Sequence, residues 1–102
     1  MAGCKDTSAK SQWDVWACEE GRAFYTHITE SGKAEALIYD EKMTEITVRG
    51  DKWFFESAET PGHQGEIIFT HQRARLTNQN IEKSPPVNEW SYACSFSRKI
   101  EL

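Results

Sequence analysis

The chain has 102 residues, with 12 Lys and Arg against 16 Asp and Glu, a formal net charge of -4 and 38% hydrophobic residues. That length holds one small domain and excludes two, and surface scaling allows roughly 65% of the chain's surface to be buried, enough for a thin core. Scattered basic residues under a net negative charge argue against nucleic-acid binding, which needs clustered cations against phosphates, and no apolar run reaches the 18 or more residues of a membrane-spanning helix.

In chain order, residues 1–12 contain almost nothing that could pack and read as a tether, with the domain running over 13–102. Short β-rich runs follow: Trp13 to Cys18, Ala23 to Thr29, Ala34 to Tyr39, Met43 to Val48, Trp53 to Phe55, Glu66 to Thr70, Ala74 to Thr77 and Trp90 to Phe96. Turn signals punctuate them at Glu20-Gly21, Ser31-Gly32, Asp40-Glu41, Arg49-Gly50-Asp51, Thr60 to Gly65 and Ser84 to Asn88. In the fourth run the period of two slips between Met43 and Ile46, which is compatible with a helical turn. About eight runs, spaced roughly ten residues apart, predict an all-β fold: a small antiparallel β-barrel of short strands. Four Trp, three Tyr and five Phe supply much of the apolar surface, and core packing is the expected use of the tryptophans.

The three cysteines differ in setting. Cys18 and Cys94 lie in strand-like runs near the two ends of the domain, whereas Cys4 lies in the tether. Two readings follow: Cys18 and Cys94 form a disulfide that closes the barrel, or both are buried free thiols in a reducing compartment. Met1-Ala2-Gly3-Cys4 is similar to the end of a bacterial lipoprotein signal, in which an apolar and two small residues precede a lipidated cysteine. Lipidation of Cys4 leaves an even pair of cysteines for an oxidising periplasm, and Lys5 after it favours the outer membrane.

No catalytic set stands out. His27, His63 and His71 lie in no zinc-binding spacing, and the chain lacks a nucleophile elbow, a phosphate-cradling glycine loop and a dinucleotide fingerprint. Neither a metal nor a cofactor is expected, and a binding protein is favoured over an enzyme.

The order of residues then becomes informative. Trp16-Ala17-Cys18-Glu19-Glu20-Gly21-Arg22-Ala23-Phe24 resembles the aromatic-x-Cys-Glu-x-Gly-x-x-Phe opening of the MliC/PliC family of bacterial inhibitors of c-type lysozyme. Ala34-Glu35-Ala36-Leu37 is similar to that family's Ala-x-Leu strand, and Ser57 to His63 stands in the place of its Ser-Ala-Ser-Gly-x-x-Tyr loop. Ile67 to Leu76 resembles its aromatic-x-x-Lys-Gly-x-x-Ala-x-Leu segment, and Cys94 falls at its closing cysteine. The likeness spans roughly Trp13 to Cys94. It implies an eight-stranded barrel stapled by Cys18–Cys94 that blocks the lysozyme cleft without chemistry, with Ser57, Glu59, His63, His71 and Arg73 as inserted or rim contacts. Membrane-bound members of the family are lipoproteins, in agreement with Cys4.

The chain departs from the pattern where the family uses serine-glycine and lysine-glycine: here stand Glu59-Thr60 and His71-Gln72, with Arg73 the nearest permanent cation. The expectation is therefore a periplasmic lipoprotein that inhibits c-type lysozyme or a related peptidoglycan hydrolase. The alternatives are an immunity lipoprotein that neutralises a cell-wall toxin, or a small envelope barrel that binds another ligand.

Overall fold

A computed structural model of the chain describes residues 11–56 and 62–102. Nine strands are present among the described residues: β1 (Gln12–Cys18), β2 (Ala23–Ile28), β3 (Ala34–Ile38), β4 (Glu41–Met43), β5 (Thr47–Arg49), β6 (Lys52–Glu56), β7 (His63–Thr70), β8 (Arg73–Asn80) and β9 (Val87–Glu101). They form one sheet in the order β4-β3-β2-β1-β9-β8-β7-β6-β5, with every neighbouring pair antiparallel. The sheet curls into a half-barrel, and the expected all-β antiparallel architecture holds.

The strand count resolves at the two edges. β4 and β5 lie at opposite ends of the strand order, yet both run in the same direction, and only Thr44 to Ile46 separate them. Glu41 to Arg49 is thus one bent strand: its first part pairs with β3 and its second with β6. Backbone continuity, rather than a hydrogen-bonded ladder, ties the two edges together. The bend falls at the slip in the alternation, and its cause is visible: Met43 and Ile46 are an odd number of residues apart, yet both pack against the core, so the strand must rotate between them. A groove of about 750 Å³ lies along this seam, between Lys42, Met43 and Ile46 on one side and Phe54 and Phe55 on the other.

Inward positions alternate along the strands as period two requires. Trp16, Phe24, Ile38, Phe55, Ile67 and Leu76 are buried in one continuous cluster, and Phe24 and Ile67 are fully enclosed. Trp13, Trp16 and Trp53 are all buried. The one polar atom of the Trp16 side chain is satisfied, since Nε1 donates to the buried Thr26 Oγ1 at 2.9 Å.

β9 is longer than its hydrophobic pattern suggested. Its first part pairs with β8 and its second with β1, and bulges between Val15 and Trp16 and between Asn78 and Gln79 adjust the register; such irregularities bend a strand and increase local twist. Cys94 sits where the two pairings meet, opposite both Ala74 and Cys18. It is bridged to Cys18, with Cα atoms 3.9 Å apart, so the free-thiol alternative is excluded and the first and last strands are joined covalently.

Two expected boundaries change. Thr60 to Gly65 reads as a turn region, but His63 to Gly65 already belong to β7, and β8 continues through Asn78 to Asn80. In these segments, polar residues ride a ladder held by backbone hydrogen bonds, so no apolar alternation marks them. The turns gather at two ends of the barrel. The lower end carries residues 29–33, 50–51 and 71–72, and the upper end carries 19–22, 39–40 and 81–86.

Candidate functional site

Of the predicted contact residues, Ser57 and Glu59 lie outside the described residues, as does the proposed lipidation site Cys4. His63 opens β7 opposite Asn80. Its Nε2 is 3.3 Å from Glu89 Oε1, an oxygen that also accepts from Asn80 Nδ2 at 3.4 Å. His63 Nδ1 is buried with no hydrogen-bond partner among the described residues. His71 lies in the two-residue turn between β7 and β8 at φ 57°, a left-handed conformation that histidine, like asparagine and aspartate, adopts more often than other non-glycine residues. The turn is fastened by Phe96 N–H, which donates to the Gln72 carbonyl at 2.7 Å. Arg73 opens β8 opposite Ser95 and is exposed.

These residues do not form one surface. β7 runs unbroken over eight residues, which at the usual rise per residue sets His63 and His71 roughly 25 Å apart. His71 and Arg73 share the lower end, whereas His63 stands at the upper end beside Gly62.

The upper end holds a cluster that the sequence did not single out. Arg22, just before β2, donates from a guanidinium nitrogen to Tyr39 Oη at 2.9 Å. The guanidinium carbon lies 5.6 Å from the Tyr39 ring centre and 4.9 Å from that of Tyr92, within cation–π range of both. Trp90 meets Tyr39 edge to face at 6.3 Å and Tyr92 at 5.1 Å. Tyr39 and Asp40 form the two-residue hairpin loop between β3 and β4, at φ 51° and 64°. Paired positive φ angles in such a loop favour Asn-Gly or Asp-Gly; aspartate tolerates the left-handed conformation, whereas for a tyrosine it costs about 1–2 kcal/mol. Tyr39 is nevertheless 54% exposed. Arg22, Tyr39, Trp90 and Tyr92 come from distant points in the chain, so no local motif announces the cluster.

At the lower end, Trp16, Trp53, Phe69 and Phe96 line an open cleft of about 520 Å³. An ion pair stands at its rim, Lys99 Nζ to Asp14 Oδ1 at 2.7 Å. On the outer face of the same half, His27 stacks on Trp13 with ring centres 3.8 Å apart and meets Glu35 Oε1 through Nε2 at 2.7 Å. That hydrogen bond, assisted by the charges of Lys42 and His27, holds the Glu35 carboxyl below its usual pKa against the opposing effect of burial.

Two histidines are engaged by glutamates, Cys18 and Cys94 are consumed by their bridge, and no group of three or more His, Cys, Asp or Glu among the described residues is placed to hold a metal ion. Comparison with protein-family models, with curated proteins and with solved structures finds no match.

Proposed function

We propose that this chain is a bacterial envelope lipoprotein, anchored through Cys4 to the outer membrane on its periplasmic side, that inhibits c-type lysozyme or a related peptidoglycan hydrolase by occluding its cleft. The observation that carries the reading is the Cys18–Cys94 bridge between the first and last strands of a curled antiparallel sheet, at the two positions the resemblance assigns to paired cysteines. Such a bridge supports an oxidising compartment, because cytosolic thiols are kept reduced. The negative net charge suits a basic enzyme, since complementary charge speeds encounter.

The roughly 25 Å between His63 and His71, set by the strand rise, supports a mode of inhibition in which only one end of β7 enters the cleft. A single inserting element cannot contain both, and the segment between β6 and β7, which carries Ser57 and Glu59, together with His63 at the start of β7, is the one assigned to the cleft. His71 and Arg73 are then remote from it.

Turbidity clearing of peptidoglycan by a c-type lysozyme, with and without excess oxidised protein, tests this reading. Inhibition is expected, with loss in Ser57→Ala or His63→Ala and retention in Arg73→Ala. Absence of inhibition by the bridged wild-type protein overturns the lysozyme assignment and directs attention to a toxin as the neutralised partner.

A further inference from the structure

We infer that the upper end carries a docking surface centred on Tyr39 and Arg22 for a basic protein surface, into which the partner places a lysine or arginine side chain. The inference rests on the reading above and identifies a second contact between inhibitor and hydrolase, outside the β6–β7 segment.

The first argument is the turn itself. A two-residue loop with both φ angles positive is most easily built from Asn-Gly, yet here it is Tyr39-Asp40. A conformation that tyrosine disfavours is held at Tyr39 while its side chain remains 54% exposed, so burial of that ring does not account for the choice. Local strain of this kind concentrates where a side chain is being presented.

The second argument is rigidity and composition. Tyr39 is fixed by the Arg22 hydrogen bond at 2.9 Å and by the edge of Trp90. Arg22 is held in turn against Tyr92. Trp, Tyr and Arg are the residues that dominate binding energy at protein interfaces, and side chains already fixed in the free protein lose little entropy on association.

The third argument is charge and shape. Glu19 and Glu20 stand in the same turn as the cation Arg22, and Asp40 and Glu41 follow Tyr39 directly in the chain, which leaves acidic residues in excess at these two turns. Beside Tyr39 lies a recess of about 340 Å³ lined by Arg22, Tyr25, Leu37, Tyr39 and Asp40, in which the Arg22 guanidinium is turned to Tyr39 Oη and the Tyr92 ring. Leu37 and the two tyrosines suit the aliphatic stem of a lysine or arginine, and Asp40 suits its charged tip.

The experiment uses bridged full-length protein, a c-type lysozyme as the probe, and calorimetric titration beside thermal unfolding. Tyr39→Asn is expected to leave the unfolding temperature unchanged or raised, because Asn tolerates positive φ, while weakening lysozyme binding at least about tenfold. Asp40→Lys is expected to slow association and to flatten its salt dependence. Wild-type affinity retained in both variants overturns this docking surface and leaves the proposed function standing. Failure of the unmodified protein to bind lysozyme overturns the proposed function, and this surface's partner with it. Tyr39→Asn that unfolds markedly earlier also overturns the inference, since Tyr39 would then serve the fold.

Discussion

Gly65 offers a sharp test of the packing. It sits in β7 directly opposite Phe55 of β6, and a Cβ built on it would lie 2.2 Å from Phe55 Cε2, 2.3 Å from Cζ and 2.9 Å from Cδ2. Carbon atoms in contact prefer about 3.5–4.0 Å, so in Gly65→Ala the ring would have to withdraw by about 1 Å or more. Phe55 is only 8% exposed and belongs to the core cluster, so the ring must move against packed neighbours or out into the groove along the seam. Overpacking of this kind costs about 1–3 kcal/mol. The alanine also restricts the unfolded chain, which returns about 0.4–1 kcal/mol, and a net loss of about 1–2 kcal/mol remains. For a domain of this size each kcal/mol corresponds to about 4–8 °C, so thermal unfolding of the bridged protein should fall by roughly 5–15 °C. A double-mutant cycle with Phe55→Leu locates the cause, because the smaller side chain should cost less in the Gly65→Ala background than in wild type. An unchanged or raised unfolding temperature, or strictly additive effects, would refute the stacking of Phe55 over Gly65 and the register that produces it.

Two further outcomes follow from the same framework. Reduction of the bridge, or Cys18→Ser with Cys94→Ser, releases a constraint across 76 residues of sequence; the chain-entropy relation assigns this about 4.5 kcal/mol, a large part of a small domain's stability, so the urea midpoint should drop steeply, and a midpoint unmoved by reductant would contradict the assignment. Glu35 has a lowered pKa in the folded protein, so it contributes stability above the unfolded carboxylate value of about 4.3 and that contribution is lost as pH falls through the lower folded value. Glu35→Gln should therefore cost about 1 kcal/mol near neutrality and flatten the acid limb of the stability curve; an acid limb identical to wild type would show that the His27 contact is inconsequential.

Much of the architecture could be read from the chain because it depends on short-range alternation. Trp16, Phe24, Ile67 and Leu76 declare inward faces, and the turn signals between them fall close to the observed hairpins. Even the odd spacing of Met43 and Ile46 marked the place where one strand bends to serve both sheet edges. Other features have no local signature. The polar ends of β7, β8 and β9 are strands because their backbones are paired, not because their side chains alternate. The surface around Arg22, Tyr39, Trp90 and Tyr92 comes together only after folding, and the Tyr39-Asp40 hairpin conceals its type by lacking asparagine and glycine. Among the contact residues implied by resemblance, His63 and His71 are near neighbours in sequence, and an uninterrupted eight-residue strand sends them to opposite ends.

The fifteen-residue β9 imposes an order of assembly on the molecule. Among the described residues, its two halves supply the ladders that unite the β1–β4 meander with the β5–β8 meander across the middle of the sheet, and its pairing with β1 reaches from Gln12 to Glu101. Each meander can form hairpin by hairpin as the chain emerges, but the sheet has no centre until this final strand arrives. Contacts between such remote segments fold slowly, and meanwhile β1 and β8 present open edges, the feature that invites pairing between chains. A chain shortened within β9 would therefore lose the junction between its two halves rather than fray at one end, and its expected fate is association with other chains instead of a slightly weaker barrel.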